Sequence, residues 1–408
     1  IWGNMIASRN LVRFALPAAL ALTCLLGWAF KAHCLDHGGW PGAIQYTSGC
    51  YSDAVPFWTA RHMDEGAIPY FQTPMEYPVL TGAAIWIEAT LAHWTGVRPT
   101  AWNFLLWVTI GNALLAFALL WMFRRMAMPQ RRLWCWAAAP PLILYLGHNW
   151  DLIAVTLAVG AMLMARRNRV VAAAALAALG TAAKLFPILL LPLLGLQALF
   201  GAPETPFARR LGKAALLSAA AIGAWALVNL PVALAAFENW SEFYRFSGAR
   251  SGTSASIWEI LNAQGIWRTG IGDRNLWSAT AFLVGASVIV AIRWRTRRTL
   301  FWSLFPPILC WFLLTNKVYS PQFDLWIYPL LLIAAPRLWP VALFVIGDIA
   351  AYFTEFWSFA RLEGAWPAAM PVHIAWAAAL RGAAMLWLIA DMLRLPPPVW
   401  LTAPETDR

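Results

Sequence analysis

Long apolar runs, separated by short polar or basic clusters, follow one another along almost the whole chain. They fall near residues 11–30, 79–95, 101–123, 133–147, 151–165, 170–184, 185–201, 214–234, 276–293, 299–314, 323–336, 339–356 and 373–393. A helix that crosses the hydrocarbon core of a bilayer needs about 20 mostly apolar residues. Several runs meet that length, and tryptophan recurs where the headgroup belts should lie. The pattern predicts an all-α polytopic membrane protein. One integral domain is expected over residues 1–395, with PPPVWLTAPETDR (396–408) as a loose cytoplasmic tail. Residues 11–30 are too long, and lack a clean small-residue cleavage site, for a removed signal peptide.

The basic clusters decide which runs span. RRMAMPQRR (124–132), RRNR (166–169), RRLGK (209–213) and RWRTRR (293–298) lie between apolar runs. If all thirteen runs cross and the N-terminus is inside, these four clusters land outside, against the positive-inside rule. Removing one early run repairs each case. The run 79–95, VLTGAAIWIEATLAHWT, is short and carries Glu88 and His93. It is expected to be an amphipathic helix at the outer interface, leaving about 12 transmembrane helices with both ends cytoplasmic. Thirteen spans with an outside N-terminus also fit the clusters. In the twelve-span arrangement, the loops 31–100 and 235–275 are extracytoplasmic, together with HNWD (148–151), the surroundings of Lys184, TNKVYSPQFD (315–324) and 357–372. One face then carries long, chemically mixed loops and the other short basic ones, which directs attention to the outer face.

Composition agrees. The chain has 408 residues, 61% hydrophobic and 12% charged, against about 25% charged in soluble domains. The net charge of +11 sits in clusters that set topology, so it does not imply a nucleic-acid partner. Of five cysteines, Cys34 and Cys50 share one loop and can pair if that loop is extracytoplasmic. No cysteine spacing suggests zinc. There is no GxxxxGK[ST], HExxH or GxSxG motif, which argues against ATP-driven transport, zinc proteolysis and serine hydrolysis.

Few polar residues remain as chemical candidates. Asp53 opens the apolar, aromatic stretch AVPFWTA, where partial burial can tune a carboxyl for use as a general base; a solvated or capping acid is the alternative. Glu76 and Tyr77, in MEYPVLTG, precede a helix start marked by Pro78. They form either a dipole-favoured N-terminus or a cleft wall. His148 and Asp151 gather in HNWD, where Asp151 is a plain N-cap or part of a wet cavity. Lys184 and Lys317 stand at the outer ends of runs. They either snorkel to headgroups or bind the phosphate of a lipid-linked substrate. Arg245 and Arg250, in FYRFSGARSGTSASIW (243–258), suit phosphate or sugar.

Taken together, SDAVPFW, EYPVLTG, KLFP and NKVYSPQFDLW resemble the GT-C membrane glycosyltransferases. More narrowly, they resemble glycosyltransferase family 87, which includes polyprenyl-phosphomannose-dependent mannosyltransferases and a smaller arabinofuranosyltransferase branch. The likeness runs over about residues 10–395. It implies a GT-C-like fold in a bacterial cell membrane. It also implies inverting, metal-independent transfer of a sugar, on the extracytoplasmic side, from a polyprenyl-phosphate donor to a hydroxyl of a lipid or glycan acceptor, with no cofactor. It puts the base role on Asp53 and donor-phosphate roles on Lys184, Lys317, Arg245 and Arg250. The late motif adds Tyr319, Gln322 and Asp324 to the substrate-binding candidates; where related phosphatidylinositol-mannoside enzymes carry histidine, this chain has Gln322 and Asp324. A transporter or flippase of a lipid-linked saccharide is the competing reading, but the inverted repeats and broken midplane helices usual in transporters are not seen in the sequence. A structural partner of envelope-building enzymes is a third reading, against which the intact Asp53 argues.

Overall fold

The computed structural model describes residues 2–36, 39–96, 100–295 and 300–402, and for residues 2–13 the backbone alone. Part of the basic cluster 293–298 and of the tail 396–408 therefore lies outside the described residues. The first long helix, α1 (Trp2–Ala32), precedes two short ones, α2 (Ile44–Thr47) and α3 (Ala54–Ala60), and then α4 (Val79–Thr95) and α5 (Ala101–Arg125). The middle of the chain forms α6 (Gln130–Ala137), α7 (Pro140–Tyr145), α8 (Leu152–Arg166), α9 (Val170–Thr181), α10 (Leu190–Phe200) and α11 (Phe207–Ala235). Then come α12 (Phe237–Ala249), α13 (Ile257–Ala263), α14 (Ile271–Arg295), α15 (Phe305–Thr315) and α16 (Asp324–Ala334). The series closes with α17 (Trp339–Leu362), α18 (Pro371–Arg394) and α19 (Val399–Thr402). Among the described residues there is no β-strand, only two isolated bridges.

Among the described residues, six helices are long and apolar enough to cross a bilayer: the apolar part of α1, then α5, α11, α14, α17 and α18. The chain is a multi-pass membrane protein. The other runs form shorter helices, several of them divided or started by proline. Pro140 and Pro141 divide the run 133–147 into α6 and α7. Pro187 begins the 185–201 run with a 3-10 turn, Phe186–Leu189, and a second such turn, Phe301–Leu304, precedes Pro306 and Pro307 at the start of α15. A proline lacks the amide hydrogen and crowds the preceding turn, so it favours a helix start, although Pro17, Pro231 and Pro329 lie inside α1, α11 and α16. Among these breaks, the one between α9 and the turn Phe186–Leu189 places Lys184 at one end of the bundle.

That end is capped by residues 43–78, which fold as a compact lid rather than a loose loop. A separate apolar cluster beneath it joins Phe57, Trp58, Met63, Tyr70 and Met75 of the cap to Phe104 and Val108 of α5 and to Trp150. Helix α4 departs from the expected amphipathic pattern. Its acid, Glu88, points inward and accepts a 2.6 Å hydrogen bond from Trp150 Nε1, while its exposed positions include Trp86, Ile87 and Trp94. Burying one hydrogen-bonded carboxylate inside lets the outer face be apolar, as a lipid-facing surface requires. The predicted outer loop 235–275 is largely helical, formed by α12, α13 and the start of α14.

The opposite end is basic. Helix α8 starts below the cap at Leu152 and, after 15 residues, ends at Arg166 in the RRNR cluster, a rise of about 22 Å. Arg124 and Arg125 close α5. Arg132 is buried there, donating to the Leu332 and Ala335 carbonyls at 2.7 and 2.6 Å.

Candidate active site

Under the cap lies a cavity of about 830 Å³. Its base is set by the segment 49–53, which is clamped from three sides. Cys50 is joined to Cys34 by a disulfide. Lys31, fully buried at the end of α1, donates to the Tyr51 carbonyl at 2.8 Å and to Tyr352 Oη at 2.5 Å, and Tyr352 in turn donates to the Gly49 carbonyl. Gly49 has φ +74° and meets Tyr352 and Phe353 closely, a position where a side chain would be strained. The Asp53 amide donates to the His148 carbonyl at 2.8 Å. These ties fix the start of α3 and with it the Asp53 carboxylate.

Asp53 is half-buried and lines the cavity. Its side chain makes no capping hydrogen bond to α3; instead Oδ2 accepts from Tyr77 Oη at 2.9 Å. Burial pushes the carboxyl up to about 6, opposed by the Tyr77 hydrogen bond and by the charge of Lys184. Burial first, and then the charge of the same carboxylate, drive the Tyr77 hydroxyl well above its usual pKa, so Tyr77 stays a donor. A carboxylate poised near neutrality and open to a cavity is what a general base requires.

Lys184 stands across from it, in the break between α9 and the turn Phe186–Leu189. Its ammonium pairs with Asp151 Oδ1 at 2.8 Å and lies 4.6 Å from the ring centre of Tyr77, with Trp326 and Phe323 at 5.6 and 5.8 Å. Asp151 occupies the N-cap position of α8 but makes no capping bond; its second oxygen accepts from Trp326 Nε1 at 2.6 Å. Thus Asp151 does not face the cavity but orients the lysine that does. The other cations come from a second wall. Lys317 Nζ donates to the Gly248 and Arg250 carbonyls at 3.0 and 2.9 Å. An ammonium has three donors, so one remains for a ligand. Gly252 packs where a Cβ would meet the Lys317 carbonyl at 2.9 Å, which lets the two segments close on each other. Burial lowers the pKa of Lys317 and Arg250; the neighbouring Arg250 lowers Lys317 further, while Glu76, Tyr77 and Asp53 counteract the fall for Arg250.

Eight of the twelve anticipated residues line this cavity: Asp53, Glu76, Tyr77, His148, Lys184, Arg250, Lys317 and Gln322. Glu76 is paired with Arg61 at 3.3 Å and so does not act as a bare dipole partner of α4. His148 is buried beside Lys31, and both effects hold its ring well below the ordinary pKa, as a neutral group. The other four differ from expectation. Asp151 lies behind Lys184. Arg245 is exposed on α12, pairing with Glu242 at 3.1 Å and donating to the Glu238 carbonyl; the helical pitch turns it away from the face that carries Phe243 and Phe246 to the cavity. Tyr319 and Asp324 are buried in the bundle, where Tyr319 Oη donates to Asp324 at 2.5 Å and Arg381 pairs with Asp324 at 2.8 Å. An unpaired acid there would be very costly, which accounts for both partners. Arg61, Lys31, Tyr352, Ser254 and Glu355 were missed. Glu355 had a signal, an acid inside an apolar run that it shares with Asp348.

Among the described residues, the grouping of potential metal ligands is His33, Cys34 and Cys50, and its two sulfurs are bonded to each other. The arrangement thus offers one tunable carboxylate, several cations and an aromatic lining, suited to a nucleophilic hydroxyl and an anionic leaving group. Residues 77–314 match the sequence model described as glycosyltransferase family 87. That stretch includes Tyr77, Lys184 and Arg250 and exceeds half the chain. No curated protein matches it.

Proposed function

Because the chain belongs to glycosyltransferase family 87, we propose that it transfers a sugar from a polyprenyl-phosphate donor to a hydroxyl of a lipid or glycan acceptor, with Asp53 as general base. The observation that carries the reading is the single cavity shared by Asp53, Lys184 and Arg250. Asp53 takes the proton of the acceptor hydroxyl as its oxygen attacks the anomeric carbon. The bond from that carbon to the phosphate oxygen breaks, and the polyprenyl phosphate leaves with the electron pair, inverting the centre. A phosphate leaves without being protonated if positive charge meets it, a role for Lys184, Arg250 and the spare donor of Lys317. Mannose is the first choice of sugar and arabinofuranose the second.

The cavity end is assigned to the extracytoplasmic side of a bacterial cell membrane. Two features support this: the basic clusters at the far ends of α5 and α8, which favour the cytoplasm, and the Cys34–Cys50 disulfide, which favours an oxidising compartment. The test is transfer by the purified protein from synthetic polyprenyl-phosphate sugars. Asp53→Asn should lower kcat by about 10²–10⁴-fold with little change in donor KM. Wild-type turnover in that variant would remove Asp53 from the base role.

A further inference from the structure

A third carboxylate lines the cavity, from α17. Glu355 is 2% exposed yet lines the cavity together with Phe356 and Phe359 of the same helix. Its Oε1 is doubly held, by Ser254 Oγ at 2.6 Å and by the Ala255 amide at 3.2 Å. Its Oε2 is buried and has no hydrogen-bond partner among the described residues. A buried acceptor without a partner is costly, and here the loop that grips Oε1 holds the carboxylate at the cavity wall. That loop is itself fixed, because the Thr253 amide donates to the Lys317 carbonyl and Thr253 Oγ1 accepts from the Tyr319 amide. Beside Glu355 the wall is aromatic: Tyr46 lies 5.5 Å from Phe359 and Tyr51 lies 5.7 Å from Phe356, centre to centre. Tyr51 and Asp53 line the same cavity, so this wall runs from the base to Glu355.

Flat apolar faces beside a single aimed acceptor match a sugar ring, which presents C–H faces and equatorial or axial O–H groups. We propose that Glu355 Oε2 accepts a hydrogen bond from one hydroxyl of a sugar ring packed on Tyr46, Phe356 and Phe359, making Glu355 a specificity-determining residue. The inference rests on the glycosyltransferase reading, and the ring belongs either to the donor or to a glycan acceptor. A site built to hold a hydroxyl discriminates strongly against the analogue that lacks it.

The test compares purified wild-type protein with Glu355→Gln, Ser254→Ala and Asp53→Asn. In transfer assays Glu355→Gln should raise KM for one substrate about 10- to 100-fold, the effect of losing a hydrogen bond to a charged acceptor. The pH profile set by Asp53 should not move. The substrate whose KM rises identifies the ring, and its deoxy analogues identify the hydroxyl, since one of them should lose its penalty in the variant. In parallel, binding of methyl mannopyranoside and methyl arabinofuranoside is followed by saturation-transfer NMR, where Glu355→Gln should abolish binding and Asp53→Asn retain it. If wild type transfers no sugar, the functional reading above fails, and the binding arm decides Glu355 alone. If Glu355→Gln does not fold, Ser254→Ala decides, with a smaller rise in the same KM expected. Unchanged KM values with unchanged methyl-glycoside binding overturn the proposal, as does a wild-type chain that neither transfers nor binds.

Discussion

Two ion pairs in this protein have the same length and opposite meanings. Lys184 pairs with Asp151 at 2.8 Å, and Arg381 pairs with Asp324 at 2.8 Å. The first has its lysine side chain 15% exposed at the cavity wall, and the second is sealed at 1% and 0%. Lys184 keeps donors free for a ligand. The Arg381 guanidinium is covered by the Tyr319 ring at 3.7 Å, and Asp324 also takes the Tyr319 hydroxyl. What separates a binding cation from a structural one is therefore spare hydrogen-bonding capacity directed at open space, not charge or distance.

The largest expected effect is on the sealed pair. Arg381→Met leaves Asp324 without its counter-charge among apolar neighbours, and should destabilise the fold by about 3–5 kcal/mol, read as a fall in thermal unfolding temperature and in yield. Lys184→Met should give the reverse profile. Lys184 itself stands at the open cavity wall, so stability drops less, while kcat/KM with the proposed polyprenyl-phosphate donor should fall about 10²–10³-fold. If Arg381→Met were the more stable of the two, the comparison would be wrong.

Next in size is the response to pH. The Asp53 carboxyl sits at about 6, and a base must be ionised, so kcat/KM should fall about tenfold per unit below pH 6 and level off above it. The stability sign is opposite. A carboxyl raised above its unfolded value favours the fold most when protonated, an advantage present at low pH and lost as pH rises through about 6. Asp53→Asn removes that loss and should be at least as stable as wild type at pH 8, converging with it near pH 4. A variant markedly less stable at pH 8 would mean that the ionised carboxylate serves the fold rather than the chemistry.

Much of this site was legible because charge is scarce. In so apolar a chain, Asp53, Lys184 and Lys317 stand out at the ends of runs, and their types suggest base and phosphate chemistry. The aromatic richness around Asp53 also signalled that residues 43–78 pack, although not that they form a cap with its own apolar cluster. Helix rotation was not legible. Asp348 and Glu355 lie seven residues apart on α17, hence on one face, about 10 Å apart along the axis. Asp348 meets Tyr145 in the core, whereas Glu355 reaches the cavity. Depth along the helix decides between them, and it depends on how neighbouring helices stack. The twelve full-length spans were read through prolines that in fact split or start several helices. A hydropathy window averages over a proline, while the backbone cannot.

The smallest expected effect sharpens the same contrast at the surface. Arg245 and Arg250 are five residues apart and were equivalent as phosphate candidates. Arg250 lines the cavity with its backbone carbonyl held by Lys317. Arg245 is solvent-exposed and engaged by Glu242, three residues before it. An exposed pair of that kind contributes about 0–1 kcal/mol, so Arg245→Ala should leave stability nearly unchanged and donor KM within about twofold of wild type. Arg250→Ala should raise donor KM by about tenfold or more, as expected for losing a charged hydrogen bond. Both are read from donor titrations at fixed acceptor. Equal effects would place α12 in a different rotation, with Arg245 turned toward the cavity, and a larger effect for Arg245 would exchange the two roles.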